Sequence, residues 1–564
     1  MTKVWDLKKY DMHLVKEYCS KFNISETLAK LLIAREVKID GVDKYINTTL
    51  DDLYDPYLMK DMDKLVDRVV LAKQNNEKVI IYGDYDVDGV TSITILYSFL
   101  REIGLDVYYY LPDRMEEGYG LNKDALKKLK DEGYSLVITV DCGISAIGEV
   151  EYANEIGLEI CITDHHECSD IIPNAYAVVN PKRKDSEYPF EMLAGVGVAF
   201  KVITAISIKL GLDKEMYFKY LDIVTLGTIA DIVPLQDENR IITKIGIEKV
   251  RETKNEGLKA LIRVAGIKEV DSTSISFAIA PRINASGRMA DASVAVKLLL
   301  ENSPVKANSL AELLDSQNKE RQAVEKKILD EVISKIEKER LYEKNSLVIS
   351  GKGWHQGVIG IVASKIAEKY IKPVILITYE ETMAKGSGRT PHGISLYDVL
   401  DKCRDTLVQF GGHELAAGIT LEIEKISEFT ERFEQAVCEV QKEEIKDIID
   451  IDLEIKKEDI LNGISKINDL LMPFGQKNSE PVYLYRNVKV NSLCTLKDDK
   501  HIKIGLKDNN FYINAIGFSL GYRRDELKLG DKIDVVGTIN INEFNGNKYV
   551  QILLKDFKKV VDNK

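Results

Sequence analysis

The sequence predicts an α/β protein of several domains: a parallel-sheet domain, a long connecting helix, a smaller α/β companion domain and a C-terminal β-barrel. The chain has 564 residues, enough for about three to five domains. Its first half alternates short apolar runs with helix-length segments, and its last fifth is a succession of short strands. Hydrophobic residues make up 45% and charged residues 30% of the chain, which is typical of globular proteins in water.

Composition argues against several classes of protein. Seven scattered cysteines form no CxxC pair, so we expect neither a zinc ribbon nor a disulfide framework, and a reducing cytoplasm is favoured. Residues 1–75 should be mostly helical, and their polar start predicts no signal peptide. The apolar runs are too short to span a bilayer. A net charge of −13 argues against a broadly basic surface for nucleic acid, but it leaves room for a local basic channel.

A parallel sheet is predicted within residues 76–307. Its strands would be five apolar runs: "KVIIYGD" (78–84), "VYYYLP" (107–112), "SLVITVD" (135–141), "LEICITD" (158–164) and "YAVVN" (176–180). Continuous apolar strands separated by helix-length segments are typical of a sheet covered on both faces. Ligands of such sheets bind beyond the carboxyl ends of the strands, and Asp84, Asp141 and Asp164 end three of these runs.

The stretch "YGDYDVDG" (82–89) indicates a metal site. Asp84, Asp86 and Asp88 alternate along the chain, and in an extended backbone alternating side chains point to the same side. Three such carboxylates repel one another unless cations lie between them, and hard divalent cations prefer oxygen ligands. An acidic surface turn is the alternative. A calcium loop of the EF-hand type is disfavoured, because Ile95 stands where that loop needs a glutamate.

Further ligand candidates follow at what we expect to be other strand ends of the same sheet. They are Asp141 in "VDCG", His165 and His166 in "TDHH", and Asp231 in the apolar run "LGTIADIVPL". Mixed aspartate and histidine ligands favour Mn²⁺ or Mg²⁺ over a structural zinc. Up to five carboxylates and two imidazoles are the ligands expected of a hydrolytic site that holds two such cations and acts on phosphoryl groups. Catalysis by a serine nucleophile is disfavoured, because GxSxG is absent. The stretch "GVGVAF" (195–200) does not complete the dinucleotide-binding pattern GxGxxG and indicates helix packing.

The second half of the chain predicts three further parts. Residues 308–342 should form the connecting helix, because apolar residues recur there at helical spacing. Residues 343–445 should form the companion domain, with strands "SLVIS" and "PVILIT" on either side of a helix near Val358. The short strands of residues 446–564 predict a small barrel of the OB type.

Taken in order, "DYDVDG", "VDCG", "DHH" and "GTIADIVPL" resemble the DHH phosphoesterase superfamily. Within it, the chain is similar to bacterial exonucleases specific for single-stranded DNA. The resemblance covers residues 75–564 and includes "PDRMEEGYGLN", "PRINASGRM", "GSGRT" and "FGGHELAAG". Tyr82 stands where some members have a histidine. Lys477 and Ser479 in "PFGQKNSEP" stand where glycine and proline are more frequent.

The resemblance implies the roles of individual residues. One metal would be held by Asp84, Asp86 and Asp141, and a second by Asp88, Asp141, His165 and Asp231. Asp141, His165, His166 and Asp231 would form the catalytic set, with His166 facing the scissile phosphate and Asp164 orienting the two histidines. The substrate-binding residues would be Arg114, Arg288, Ser387, Arg389 and His413. In the barrel, Phe511, Tyr512, Phe518 and Tyr522 are candidates for stacking on bases, although we expect core packing for most of them.

The implied function is a 5′-to-3′ exonuclease that releases 5′-mononucleotides from single-stranded DNA with two Mn²⁺ or Mg²⁺ ions, in repair and recombination. A helicase and a single-strand-binding protein are candidate partners, and no membrane is expected. Two alternatives stay open. One is a phosphodiesterase for short oligonucleotides or cyclic dinucleotides, which would not need the barrel. The other is an inactive replication scaffold, which would not keep a complete set of carboxylates.

Overall fold

The chain begins with a short strand followed by helices. The computed structural model describes residues 3–112, 120–289, 291–391, 393–440, 447–544 and 547–560. The first elements are β1 (Val4–Leu7), α1 (Met12–Phe22), α2 (Glu26–Ala34), α3 (Val42–Ile46) and α4 (Met62–Asn75). The segment is mostly helical, as predicted, but its first strand was not predicted from the sequence.

The first lobe is built on a five-stranded sheet whose neighbouring strands all run parallel, as predicted. Its elements are β2 (Lys78–Gly83), α5 (Val87–Glu102), β3 (Asp106–Tyr110), α6 (Lys123–Asp131), β4 (Leu136–Val140), α7 (Ile147–Glu155), β5 (Glu159–Thr163) and β6 (Ala177–Val179). The strand order is β3-β2-β4-β5-β6. Val79 and Ile81 face one hydrophobic core, while Ile80 and Tyr82 face another, because successive side chains of a strand alternate in direction.

Helices complete this lobe and lead into the connector. They are α8 (Gly195–Leu210), α9 (Glu215–Phe218), α10 (Leu221–Ala230), α11 (Asp237–Arg251), α12 (Glu256–Val264), α13 (Ser272–Ser274), a π-helical turn (Ile275–Ile279), α14 (Ala280–Met289), α15 (Ser293–Leu300) and α16 (Pro304–Lys338). The early part of α16 buries Leu314 in the first lobe, and its later part buries Ile328 and Val332 in the next one. The predicted long connecting helix is therefore confirmed.

The companion lobe is a mixed sheet with helices, as predicted for an α/β unit. It contains β7 (Leu347–Lys352), α17 (Gln356–Tyr370), β8 (Val374–Tyr379), β9 (Met383–Arg389), α18 (Leu396–Asp401), β10 (Gln409–Gly412), β11 (Ala416–Glu422) and α19 (Ile426–Val440). The strand order is β10-β11-β9-β8-β7. Only β7 and β8 pair in parallel among these described strands.

The last part of the chain forms a closed barrel, which confirms the predicted OB-like domain. Its elements are β12 (Ile448–Ile451), β13 (Leu453–Ile455), α20 (Lys457–Leu461), α21 (Ile464–Leu471), β14 (Tyr483–Leu496), β15 (His501–Asp508), β16 (Phe511–Gly517), β17 (Lys532–Phe544) and β18 (Asn547–Lys559). The strands β14-β15-β16-β18-β17 follow one another, and β17 pairs with β14 to close the ring.

The first residues of the chain belong to the core of this barrel. Strand β1 pairs in parallel with β12, and the Trp5 indole donates to the carboxylate of Asp556. Leu31 and Leu32 of α2 are fully buried in one hydrophobic cluster with Ile502 of the barrel. Helix α4, by contrast, packs in the core of the first lobe. The predicted segment 1–75 is therefore divided between two cores. Within the described ranges, no helix is long and apolar enough to cross a membrane.

Candidate metal centre

The turn between β2 and α5 carries three of the predicted ligands. Asp84 directly follows β2 and is buried. Asp86 is the N-cap of α5 and accepts a hydrogen bond from the Gly89 amide, while Asp88 lies in the first turn of that helix. The expected alternation along an extended strand is thus wrong, because the backbone enters a helix after Asp86. The carboxylates converge through helix capping instead.

Glycine at position 89 makes this tight turn feasible. A Cβ atom there would overlap the backbone carbonyl of Asp84. Any side chain at this position would therefore push the first turn of α5 away from the end of β2. Glycine, the one amino acid without a Cβ atom, thus stands where α5 comes closest to the end of β2.

Asp88 is held by the start of another helix. Its two carboxylate oxygens accept hydrogen bonds from the backbone amides of Gly195 and Val196, at 2.6 and 2.8 Å. A helix N-terminus stabilises negative charge, but burial and the charge of Asp86 are stronger and raise the pKa of Asp88 to about 7. From the sequence, "GVGVAF" indicates helix packing only. Its alternating glycines gave no signal for the contact with Asp88.

Asp141 and His165 meet at the centre of the cluster. Asp141 follows β4 with a φ of 59° and is buried. The Nε2 atom of His165 lies 3.0 Å from Oδ1 of Asp141, 3.7 Å from Oδ2 of Asp88 and 3.6 Å from Oδ2 of Asp231. Burial and the nearby His166 lower the pKa of His165 to about 3. The imidazole is therefore neutral near pH 7 and can offer a lone pair.

Asp231 joins the cluster from a helix. The predicted position at a strand end is wrong, because Asp231 caps the C-terminus of α10. Burial and the charges of Asp88 and Asp86 raise its pKa well above the usual range. Strand ends thus supply Asp84, Asp141 and the histidine pair, while helix termini supply the remaining carboxylates.

Asp164 orients His166, the role that the family resemblance implies for it. The buried carboxylate of Asp164 lies 2.7 Å from Nδ1 of His166 and also accepts from the His165, His166 and Ile144 amides. Burial opposes charge on His166, but the hydrogen bond and the charge of Asp164 prevail and raise its pKa above the ordinary value. The side-chain amide of Asn180 donates a hydrogen bond to the backbone carbonyl of His166. Asn180 ends the run "YAVVN", so the strand-end rule could have found it.

The cluster offers overlapping sets of metal ligands. Asp84, Asp86 and Asp141 form one set, Asp88, His165 and Asp231 form another, and Asp141 also groups with both histidines; within each set the ligand atoms lie within 4.8 Å of one another. Burial and the charges of four neighbouring aspartates raise the pKa of Asp141. Nε2 of His165 is buried and makes no hydrogen bond with any described residue. Crowded carboxylates and an orphaned imidazole nitrogen fit divalent cations in this pocket.

The predicted substrate contacts occupy other places. Ser387 and Arg389 lie on β9, where Nη1 of Arg389 donates to Ser387 Oγ and to the Gly388 carbonyl. Burial lowers the pKa of this arginine. His413 lies in the exposed turn between β10 and β11, and β11 pairs with β9. Arg288 on α14 donates to the Gly357 carbonyl at the start of α17. Arg114 lies outside the described residues.

The comparison with known proteins matches three domains along the chain. Residues 78–228 match the N-terminal domain of the DHH family, residues 343–439 match the DHHA1 domain, and residues 451–556 match the RecJ OB domain. The single-stranded-DNA-specific exonuclease RecJ of Bacillus subtilis is 38% identical over 560 residues, which cover 98% of this chain and 70% of that protein. The chain belongs to the RecJ family. The Escherichia coli RecJ exonuclease is 33% identical and covers 87% of this chain and 89% of its own length.

Solved structures agree with this family assignment. A crystal structure of RecJ from Thermus thermophilus in complex with Mn²⁺ superimposes with a TM-score of 0.86 at 26% identity, covering 99% of this chain and 80% of that one. A manganese-bound exonuclease RecJ has a TM-score of 0.61 at 32% identity, covering 69% of this chain and 96% of that one. The resemblance drawn from the motifs and the predicted fold class are both confirmed.

Proposed function

We propose that this RecJ-family chain is a metal-dependent exonuclease that degrades single-stranded DNA from the 5′ end and releases 5′-mononucleotides. The observation that carries the proposal is the pair of ligand sets that meet at Asp141 and at the orphaned Nε2 of His165. Both relatives named above as RecJ are single-stranded-DNA-specific exonucleases. The barrel favours this substrate over a dinucleotide, because a short substrate needs no extended platform.

We assign the ligands as the motifs imply. Asp84, Asp86 and Asp141 would hold one cation, and Asp88, Asp141, His165 and Asp231 the other. When bound, two Mn²⁺ or Mg²⁺ ions supply an activated water and neutralise charge on the phosphoryl group. The chain contributes the geometry: α8 fixes Asp88 through two amides, and the Leu193 backbone hydrogen-bonds the His165 imidazole, which fixes a ligand ring in one orientation.

His166 would contact the scissile phosphate. Its Nδ1 is held by Asp164, and its side chain is 44% exposed, so the ring is fixed in orientation and accessible to a substrate. A raised pKa favours the protonated ring, which donates a charge-assisted hydrogen bond to a phosphate oxygen. His166 thus complements the neutral ligand His165 beside it.

The companion lobe and the barrel would hold the strand. Arg389 is half-buried, makes no ion pair with a described residue, and lies beside Ser387 and the His413 turn, a suitable cradle for a terminal phosphate. In the barrel, Tyr512, Phe518 and Tyr522 are 57%, 61% and 80% exposed. The expectation of core packing for most of these aromatics is therefore wrong. Only Phe511 packs against the core, and exposed aromatics are suitable stacking surfaces for bases.

We further propose a role in repair and recombination in the cytoplasm, with a helicase and a single-strand-binding protein as partners. All seven cysteines are free thiols, in keeping with a reducing compartment. The domain division proposed from the sequence assigns 76–307 to catalysis, 308–342 to the connector, 343–445 to substrate binding and 446–564 to DNA binding.

The test compares single strands of about 50 nucleotides that carry a label at the 5′ or the 3′ end, digested with Mn²⁺ or with EDTA. Immediate release of labelled mononucleotide from the 5′-labelled strand, and gradual shortening of the 3′-labelled strand, are expected. Attack from the 3′ end would refute the polarity, and cleavage in EDTA would refute the metal requirement. A dinucleotide cleaved as fast as the strand would favour the short-substrate alternative.

A further inference from the structure

An open cavity of about 540 Å³ lies where three parts of the chain meet. Its lining comes from nine residues between 35 and 48 around α3, from Tyr54, from five residues between 235 and 241 at the start of α11, and from residues 477–478 in the loop after α21. None of the metal-cluster residues lines it. Its volume is typical of sites for small ligands, and the proposed exonuclease reaction does not use it.

Arg240 brings a buried charge to this cavity without a carboxylate partner. Its side chain is 2% exposed and donates to the carbonyls of residues 470–472 at the end of α21. The guanidinium stacks on the ring of Tyr45, 3.8 Å from its centroid. Its Nε is buried and has no hydrogen-bond partner in the described part of the chain. A buried cation with only dipoles around it is costly.

A second guanidinium and a lysine add to this charge. Arg35 is 8% exposed and donates to the Leu31 and Ser479 carbonyls and the Asn478 side chain. It makes no ion pair with any residue in the described ranges. Burial, followed by the charge of Arg240, lowers the pKa of the adjacent Lys244 to about 8. The three cations therefore form a region of positive potential that is short of negative charge.

The rest of the lining does not cancel this potential. It contains three acidic residues: Asp237 is bonded to Lys44 and Tyr54, and Glu36 and Asp40 are exposed at the rim. Two exposed lysines, Lys38 and Lys477, line the same cavity. Lys477 has a φ of 57°, the left-handed conformation that glycine adopts most readily. Backbone geometry therefore does not explain why a lysine occupies this position.

We propose that this cavity binds a phosphate-bearing ligand of about mononucleotide size, at a site separate from the metal cluster. Guanidinium groups are the preferred protein partners of phosphate. Tyr45 and Tyr54 provide ring surfaces beside these cations, which suit the apolar part of a nucleotide. The same chemistry is presented by a free mononucleotide and by one phosphate-sugar unit of a bound single strand, so the experiment has an arm for each source.

The test uses the full-length chain with Arg389→Gln, which removes the cradle proposed for the terminal phosphate, in buffer with EDTA. Lys477→Glu is added to this background, because Lys477 is exposed and its replacement leaves the buried arginines intact. The matched control is Lys184→Glu, since Lys184 is 80% exposed and is absent from the lining. Lys477→Gly serves as a second variant that suits the left-handed backbone.

In the first arm, binding of dTMP and of inorganic phosphate is measured by calorimetry. In the second, the affinity for a 40-nucleotide strand is measured against salt concentration. If the ligand is a free mononucleotide, Lys477→Glu should weaken the binding of dTMP about tenfold, as expected for the loss of one charge-assisted contact. If the ligand is part of a bound strand, the substitution should lower the salt dependence of strand binding by about one charge. Lys477→Gly should act in the same direction, and Lys184→Glu should change neither. The proposal is overturned if Lys477→Glu matches Lys184→Glu in both arms.

Discussion

At the scale of single residues, Asp141 connects the two proposed metal positions. Its carboxylate belongs to a ligand set with Asp84 and Asp86 and to another with the two histidines. The residue is 2% exposed, and burial together with the surrounding aspartates raises its pKa. Without cations, this carboxylate adds repulsion to a crowded site. With cations, it is the group that both would share.

Asp141→Asn should therefore separate activity from stability. We expect nuclease activity with Mn²⁺ to fall by more than about 100-fold, since even residues behind the ligands cost 10–100-fold in comparable sites. In EDTA, the variant should melt at the same or a higher temperature than the parent chain, because one repelling charge is gone. Thermal denaturation with and without Mn²⁺ measures both effects. Asp170→Asn is the control, because Asp170 is 92% exposed.

The buried carboxylates also predict how stability depends on pH. The pKa of Asp88 is raised to about 7 in the folded chain, against about 4 when unfolded. The stabilisation of the folded chain by protonation of Asp88 is fully present below pH 4 and is lost as the pH rises through 7. The melting temperature in EDTA should fall by a few degrees between pH 5 and pH 8. Mn²⁺ should offset this fall, because it binds the ionised carboxylates.

The Asp88→Asn variant provides the matched comparison for this pH series. The asparagine side chain does not titrate, so the slope of melting temperature against pH in EDTA should become shallower. An unchanged slope would show that other groups control the pH dependence.

The sequence was sufficient to predict residues that follow buried strands. Asp84 and Asp141 end apolar runs and His165 directly follows a third, and the parallel arrangement brings such ends together. It named Asp231 as a candidate but did not place it on a helix, because its apolar neighbours suit a strand or a buried helix equally well. The amides of Gly195 and Val196 could not be found either, since a backbone N–H has no signature in the sequence.

At the scale of elements, the turn from β2 into α5 determines how the carboxylates converge. The alternation of Asp84, Asp86 and Asp88 suggested a strand, yet Asp86 caps the helix and accepts from the Gly89 amide. A pattern with period two over five residues does not distinguish a strand from a strand-to-helix turn. The N-cap preference of aspartate and the glycine three positions later were the better signals.

Gly89→Ala should damage this turn. The new methyl group would collide with the Asp84 carbonyl, so α5 must shift and move Asp88 relative to Asp84. We expect a loss of about 1–3 kcal/mol of stability, as for other overpacked sites, and at least a tenfold weaker response to Mn²⁺ in activity assays. Gly148→Ala on α7 is the control, because a Cβ there meets nothing within 4 Å. Equal metal titrations for both variants would contradict this account.

At the scale of the whole molecule, the beginning and the end of the chain form one structural unit. Strand β1 pairs with β12, and α1 and α2 share a hydrophobic core with the barrel strands. The sequence predicted helices and a barrel separately, but no local pattern could show that they pack together. Contacts between distant segments depend on the completed fold.

Leu32→Ala should therefore loosen the barrel. Leu32 is fully buried in the shared core, and comparable truncations cost about 2–5 kcal/mol. Hydrogen exchange should accelerate in β14–β18 and stay unchanged in β2, β4 and β5. Val305→Ala is the control, since Val305 is 75% exposed on α16. Faster exchange in the parallel sheet, with the barrel unaffected, would refute the shared core.

The pairing of the first strand with the barrel delays the folding of the first helices during synthesis. Lys8 forms an ion pair with Asp452, 444 residues further along. A ribosome adding about 5–20 residues per second needs roughly 20 to 90 seconds to cover that interval. During this time the first helices lack their partner, while the parallel sheet and the companion lobe can already assemble. Helices α1 and α2 are thus made before the parallel sheet but reach their final place after it.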